Sequence, residues 1–129
     1  MEPEIDTLRG FLRNWLVGHP DVELVQPKTT TSKQVHLSVF VTAKGRPIGI
    51  ETDKTSIQNI WLRAMNMPKD LPPRIKVTKK MWVGQSWKGE DGKGANSNLK
   101  GFDLFRTHNL VRLELTTVED AKALLEAII

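Results

Sequence analysis

Residues 79–102, KKMWVGQSWKGEDGKGANSNLKGF, concentrate side chains that could bind a phosphate polymer. The stretch contains five lysines, two tryptophans and five glycines. Lysines neutralise phosphates, indole rings provide faces on which bases stack, and glycines allow close approach of the backbone. The composition therefore predicts a nucleic-acid-binding loop over residues 79–100.

Nine residues of this loop are the candidate nucleic-acid contacts. The lysines are expected to contact phosphates, Trp87 to stack on a base, and the polar side chains to donate hydrogen bonds. We assign Trp82, which continues the preceding strand, to packing. DNA and RNA, single-stranded or duplex, fit the pattern equally well. The candidates are Lys79, Lys80, Trp87, Lys88, Lys93, Asn96, Ser97, Asn98 and Lys100.

The same stretch could also be a plain connection at a sheet edge. Tryptophan packs in cores more often than it stacks on bases. GEDGKG is typical of a flexible hairpin tip, and Ser97-Asn98 could cap the turn that begins at Leu99. A plain connection does not require lysines and tryptophans to cluster, however, so nucleic-acid binding is the leading hypothesis.

The charge distribution supports this hypothesis. The formal net charge is +4 at pH 7. Seven basic and two acidic residues lie between Arg74 and Lys100, so the positive charge is concentrated in the middle of the chain. A basic patch of this kind attracts a polyanion.

Residue types exclude several catalytic classes. The sequence contains no cysteine, which excludes disulfides, zinc–thiolate sites and thiol nucleophiles. His19, His36 and His108 are far apart and have no metal-ligand spacing. Neither a serine-hydrolase elbow, a zinc-protease motif nor a phosphate-binding P-loop is present. We therefore expect a non-catalytic protein with no cofactor and no metal site.

A metal-dependent nuclease is the third-ranked hypothesis. Two carboxylates would hold Mg²⁺ and a lysine would orient the attacking water. The acidic candidates are Glu51 and Asp53, beside Lys54. Adjacent strand residues point to opposite faces, so Asp53 and Lys54 are poorly spaced. The alternative, Asp91-Gly92-Lys93, lies in a glycine-rich loop.

A protein-interaction or regulatory module is the runner-up. Phe102, Leu104 and Phe105 could form an exposed apolar patch for a protein partner or a homodimer, although such a turn more commonly docks on the core. Stretch 22–34, with its TTTS tract, could be an edge strand offered to a partner.

The N-terminal sequence argues for a cytoplasmic protein. MEPEIDTLRGFLRNWL begins with acidic residues and has no long apolar run, so we expect neither a signal peptide nor a membrane span. The absence of cysteine is typical of a reducing compartment.

Hydrophobic periodicity places the elements that would carry these residues. An apolar stripe from Ile5 to Leu16 predicts a first helix, and TTVEDAKALLEAII predicts a last helix capped by Thr117. Alternation in QVHLSVFVTA and the bend at Gly45 predict a hairpin.

Further strands are predicted at 22–26, 74–83 and 109–116. Residues 55–65 fit either a helix or a strand, and a strand is favoured because the run is short and contains Ile and Trp. The predicted fold class is α+β: a single domain over residues 1–129, with a mostly antiparallel sheet of four to six strands, an N-terminal helix and a C-terminal helix.

Overall fold

The computed structural model describes residues 3–25, 37–52 and 57–129, without the side chains of residues 3–6, 97 and 98. Expectations placed on His36, Asp53, Lys54 and the TTTS tract lie outside the described residues. The fold class is α+β, as predicted, with two helices at the ends of the chain. Its antiparallel sheet has seven strands, slightly more than the predicted four to six.

The described residues form two helices and seven strands. Neighbouring strands of the sheet are all antiparallel, and the order across the sheet is β1-β2-β3-β4-β7-β5-β6. Residues 55–65 contribute a strand, as favoured. The elements are α1 Pro3–Gly18, β1 Val22–Val25, β2 Leu37–Thr42, β3 Pro47–Glu51, β4 Gln58–Arg63, β5 Lys76–Val83, β6 Ser86–Gly89, β7 Leu110–Leu115 and α2 Val118–Ile128, with 3-10 turns at Ala64–Asn66 and Ser97–Gly101.

Both helices contribute to the core on one face of the sheet, which we call the helix side. Leu8, Leu12 and Leu16 recur at every fourth position of α1 and are fully buried there. Thr117 begins α2 as predicted, because its side chain accepts a hydrogen bond from the Asp120 N–H at 3.2 Å. Among the described residues, no helix is long and apolar enough to cross a membrane.

The opposite face of the sheet is covered by the segment between β6 and β7, and we call it the loop side. Phe102 and Phe105 are 5% and 0% exposed and pack there against Trp61, Trp87 and other apolar residues. Of the two possibilities for these phenylalanines, the structure therefore shows docking on the core and not an exposed patch for a protein partner. A sheet with apolar residues on both faces must bury both of them. The helices bury one face, and the segment between β6 and β7 buries the other.

The central strands position polar residues on the loop side. β7 lies between β4 and β5, with Arg112 opposite Trp61 on one side and Thr78 on the other. Because strand residues alternate between faces, Asn59 and Glu114 share the loop side with Arg112. Residues that are distant in sequence thus meet at one end of this face.

Candidate nucleic-acid interface

The first half of the predicted basic loop, residues 79–89, is a β-hairpin. β5 and β6 pair with Trp82 opposite Trp87, and the connecting turn is Gly84–Gln85. Gly84 has a φ of 70°, a conformation that glycine adopts without the steric penalty of a Cβ. The predicted hairpin tip, GEDGKG, instead begins at the last residue of β6.

One face of this hairpin combines exposed lysines with exposed apolar side chains. Alternation places Lys79, Met81 and Val83 on the helix side of β5, and Met81 lies opposite Lys88 on β6. Met81 and Val83 are 52% and 58% exposed. Together with Glu90, these residues line a shallow groove of about 430 Å³. We call these five residues the hairpin face.

Lys80 points away from the hairpin face and is completely buried on the loop side. Its ammonium group forms an ion pair with Asp91 at 2.8 Å and donates to the Lys93 carbonyl at 3.2 Å. A lysine held in this way cannot contact a phosphate. The prediction that Lys80 is a nucleic-acid contact is therefore wrong.

Asp91 links the hairpin to the centre of the sheet. Its second carboxylate oxygen lies 3.6 Å from Arg112 of β7, and its first accepts the Lys93 N–H at 3.1 Å. Hydrogen bonds from Lys80 and from the Lys93 backbone lower the pKa of Asp91 from 3.8 to about 2. The ionised carboxylate thus fastens the segment after β6 to β5 and β7.

Trp87 is a packing residue. Its side chain is 4% exposed, and the indole Nε1–H donates to the His108 carbonyl at 2.7 Å. Trp82 packs edge-on against it, with ring centroids 4.9 Å apart. The prediction that Trp87 stacks on a base is wrong because neither face of its ring is open, whereas Trp82 packs as expected.

The remaining candidates lie in the segment that follows β6. Lys93 and Lys100 are exposed, and Asn96 is half-buried. The backbone of Ser97 and Asn98 forms the first part of a 3-10 turn, and their side chains are outside the described part of the structure. Of the nine predicted contacts, Lys79, Lys88, Lys93 and Lys100 have exposed side chains.

Glu51, the acidic residue of the leading nuclease pair that the structure describes, is held by hydrogen bonds within the fold. Glu51 is 4% exposed, and its carboxylate accepts hydrogen bonds from Asn59 and Trp61 at 3.1 and 2.7 Å. In the part of the chain that the structure describes, no three His, Asp or Glu side chains are grouped so that they could hold a metal ion. Asp53 is not among those residues.

Two features of the interface are absent from the sequence prediction. Met81 and Val83 are alternate residues of a strand that the sequence predicts. Their exposure is not visible in the sequence, because it follows from the position of β5 near the sheet edge. Asn59 and Arg112 alternate with apolar neighbours in β4 and β7, which is the signal of a polar strand face. That signal does not reveal that β4 and β7 are neighbours.

Comparison with known proteins identifies no relative of this chain. No family model matches the chain, and no curated protein or solved structure is significantly similar to it.

Proposed function

We propose that this protein is a non-catalytic nucleic-acid-binding protein that uses the hairpin face. The observation that carries the proposal is that two exposed lysines, Lys79 and Lys88, lie beside exposed Met81 and Val83 on one side of a two-stranded ribbon. A cytoplasmic location belongs to the same proposal, because the sequence has no cysteine that would form disulfides.

The shape of this surface suits a nucleic acid. A two-stranded ribbon fits the major groove of a duplex, and exposed apolar side chains can contact the methyl group of thymine. Lys79 and Lys88 would neutralise phosphates beside these contacts. Lys93, which is exposed in the turn after β6, would extend the positive surface.

Ion pairs on the loop side fix the position of the hairpin. Lys80, Asp91 and Arg112 connect β5, the segment after β6 and β7 through contacts of 2.8 and 3.6 Å. A ribbon fixed in this way loses little conformational freedom when it binds, which favours affinity.

A protein partner is the alternative occupant of the hairpin face. The large exposed fractions of Met81 and Val83 favour it, since apolar side chains are common in the centres of protein interfaces. Such a partner would bind with weak salt dependence, whereas nucleic-acid affinity falls steeply with added salt because counterions are released.

A fluorescence-anisotropy titration tests the proposal. Labelled single-stranded and duplex DNA and RNA are titrated with the wild-type protein, with Lys79→Ala/Lys88→Ala, and with the control Lys44→Ala/Lys69→Ala. Lys44 and Lys69 are exposed lysines in the β2–β3 turn and in the loop before β5.

We expect saturable binding that the first double variant weakens by about tenfold or more and the control leaves nearly unchanged, since each phosphate contact contributes a share of the electrostatic free energy. Absence of binding to all four nucleic acids by folded protein would refute the proposal, as would equal losses in the two double variants.

A further inference from the structure

A polar cleft on the loop side has the donors and acceptors of a base-binding pocket. It lies between β3, β4 and β7 and the segment 94–96 that follows β6, and its volume is about 320 Å³. That volume is at the lower end of the range for small-molecule sites. Glu51, Asn59, Trp61 and Arg112 provide its side-chain lining, together with Asn96.

Glu51 presents an acceptor in this cleft. The Asn59 amide donates to one carboxylate oxygen at 3.1 Å, and the Trp61 indole donates to the other at 2.7 Å. A carboxylate has about four lone-pair positions, so each oxygen can accept a further hydrogen bond. No lysine or arginine in the described ranges forms an ion pair with Glu51. A ligand with two adjacent N–H donors would therefore complement the carboxylate.

Arg112 presents a donor in the same cleft. Its terminal nitrogen is 3.6 Å from Asp91 and 3.5 Å from Glu114. Its Nε is buried, and no hydrogen-bond partner for it exists among the residues described. Because the Nε is buried, a ligand in the cleft would meet the guanidinium at its terminal nitrogens. The contacts of one of these with Asp91 and Glu114 are long, so it can donate to a ligand oxygen as well.

We propose that the cleft binds an unpaired guanine base. Guanine carries two adjacent donors, N1–H and the N2 amino group, which would donate to Glu51. Its O6, next to N1, would accept from a terminal nitrogen of Arg112, which lines the cleft. Adenine and cytosine each place an unprotonated ring nitrogen on this edge, which the carboxylate would repel, and uracil carries one donor there in place of two.

This inference rests on the proposed function, and it specifies which unpaired base of the bound nucleic acid the cleft would select. Proteins that bind single strands or extrude a nucleotide recognise the base by its Watson–Crick edge. The segment from Gly89 to Asn96 connects the hairpin to the cleft, and exposed Lys93 lies within it. The hairpin face and the cleft lie on opposite sides of the sheet, and β6 is the edge strand between them. A strand held by the hairpin lysines would therefore pass around this edge to place an unpaired guanine in the cleft.

Isothermal titration calorimetry with the 5′-monophosphates of guanosine, adenosine, cytidine, uridine and inosine tests the pocket. We expect guanosine monophosphate to bind at least about tenfold more tightly than the adenosine, cytidine and uridine nucleotides, the discrimination typical of a well-formed bidentate contact. Inosine lacks the N2 amino group and should bind more weakly than guanosine. Equal affinities of guanosine and inosine monophosphates would overturn the proposal.

Two variants with the same change in charge sharpen the test. Glu51→Gln removes the charge of the acceptor and should abolish the preference for guanine, whereas Asp70→Asn, at an exposed loop position, should retain it. A guanine preference that survives Glu51→Gln in folded protein would also overturn the proposal. Because Glu51 is buried, that variant requires a check of folding, and the inosine comparison decides the question without any variant.

Binding of an adenine-only oligonucleotide separates this proposal from the function on which it rests. That binding should depend on Lys79 and Lys88 and be unaffected by Glu51→Gln. Retained oligonucleotide binding without a guanine preference would overturn the pocket alone. Failure of every oligonucleotide to bind would overturn nucleic-acid binding by the hairpin face.

Discussion

Lys79 and Lys80 are adjacent in sequence and lie on opposite faces of β5. Lys79 is exposed on the hairpin face, whereas Lys80 is buried against Asp91. Adjacent residues of a strand point to opposite faces of the sheet, so these two lysines must have different surroundings. The sequence alone does not tell which face is covered. That information depends on the segment after β6, which covers the side of Lys80 and leaves the side of Lys79 open.

Asp91→Asn should change the acid sensitivity of the protein. The folded pKa of Asp91 is depressed from 3.8 to about 2 by the Lys80 and Lys93 hydrogen bonds, so its ionised form stabilises the fold. This contribution is complete above about pH 5 and is lost as the pH falls through the folded pKa. Urea unfolding followed by tryptophan fluorescence would measure it.

The difference in unfolding free energy between wild type and Asp91→Asn should therefore be constant near neutral pH and shrink between about pH 4 and about pH 2. Asp70→Asn provides the control for the change in net charge. A difference for Asp91→Asn that does not vary over this range would show that the Lys80 ion pair does not stabilise the fold.

Glu90→Gln should increase affinity for nucleic acid. Glu90 is the acidic member of the hairpin face, and its carboxylate accepts the Lys79 backbone N–H at 2.8 Å. Glutamine keeps an acceptor for that hydrogen bond and removes a charge that repels phosphate. We expect affinity to rise by a few-fold at low salt, with the gain diminishing at high salt because exposed charges are screened. Unchanged affinity at low salt would place the nucleic acid elsewhere.

At the scale of elements, the β5–β6 hairpin is the main difference between prediction and structure. GEDGKG has three glycines and two acidic residues, the composition of a turn, and it hides the weaker signal of Gly84–Gln85. Positive φ at Gly84 permits the tight turn, and the short β6 pairs behind it. By contrast, the first and last helices and the β2–β3 hairpin were predictable, because their periodicity and capping signals are local.

Gly89→Ala should destabilise this hairpin. A Cβ at residue 89 would meet the Lys80 Nζ at 2.7 Å, the Lys93 carbonyl at 2.5 Å and the Asp91 carboxylate. These contacts would displace the ion pair, and the expected loss of unfolding free energy is about 1–3 kcal/mol, the range for overpacked sites. Thermal or urea unfolding would measure the loss.

Gly10→Ala is the matched control for this substitution. A Cβ at residue 10 of α1 meets nothing within 4 Å, so the replacement should stabilise the helix by about 0.5–1 kcal/mol. Equal stability of the Gly89→Ala protein and wild type would contradict the close packing of Lys80 and Asp91 around Gly89.

At the scale of the whole molecule, the strand order decides which residues meet. Placing β7 between β4 and β5 brings Arg112 beside Trp61, and the covering segment brings Asp91 to Arg112. None of these pairings is local, which explains why composition indicated a basic region but not the polar cleft. The fold class could be predicted from the sequence because it depends on local periodicity. The cleft could not, because it depends on which strands pair.

The salt dependence of binding tests the central claim most directly. For the nucleic acid that binds most tightly, the slope of log K against log salt concentration is compared between wild type and Lys79→Ala/Lys88→Ala. If both lysines contact phosphates, the slope should decrease in magnitude by about one for each lysine, while Lys44→Ala/Lys69→Ala keeps the wild-type slope. An identical slope for wild type and Lys79→Ala/Lys88→Ala would contradict the assignment of the hairpin face as the nucleic-acid interface.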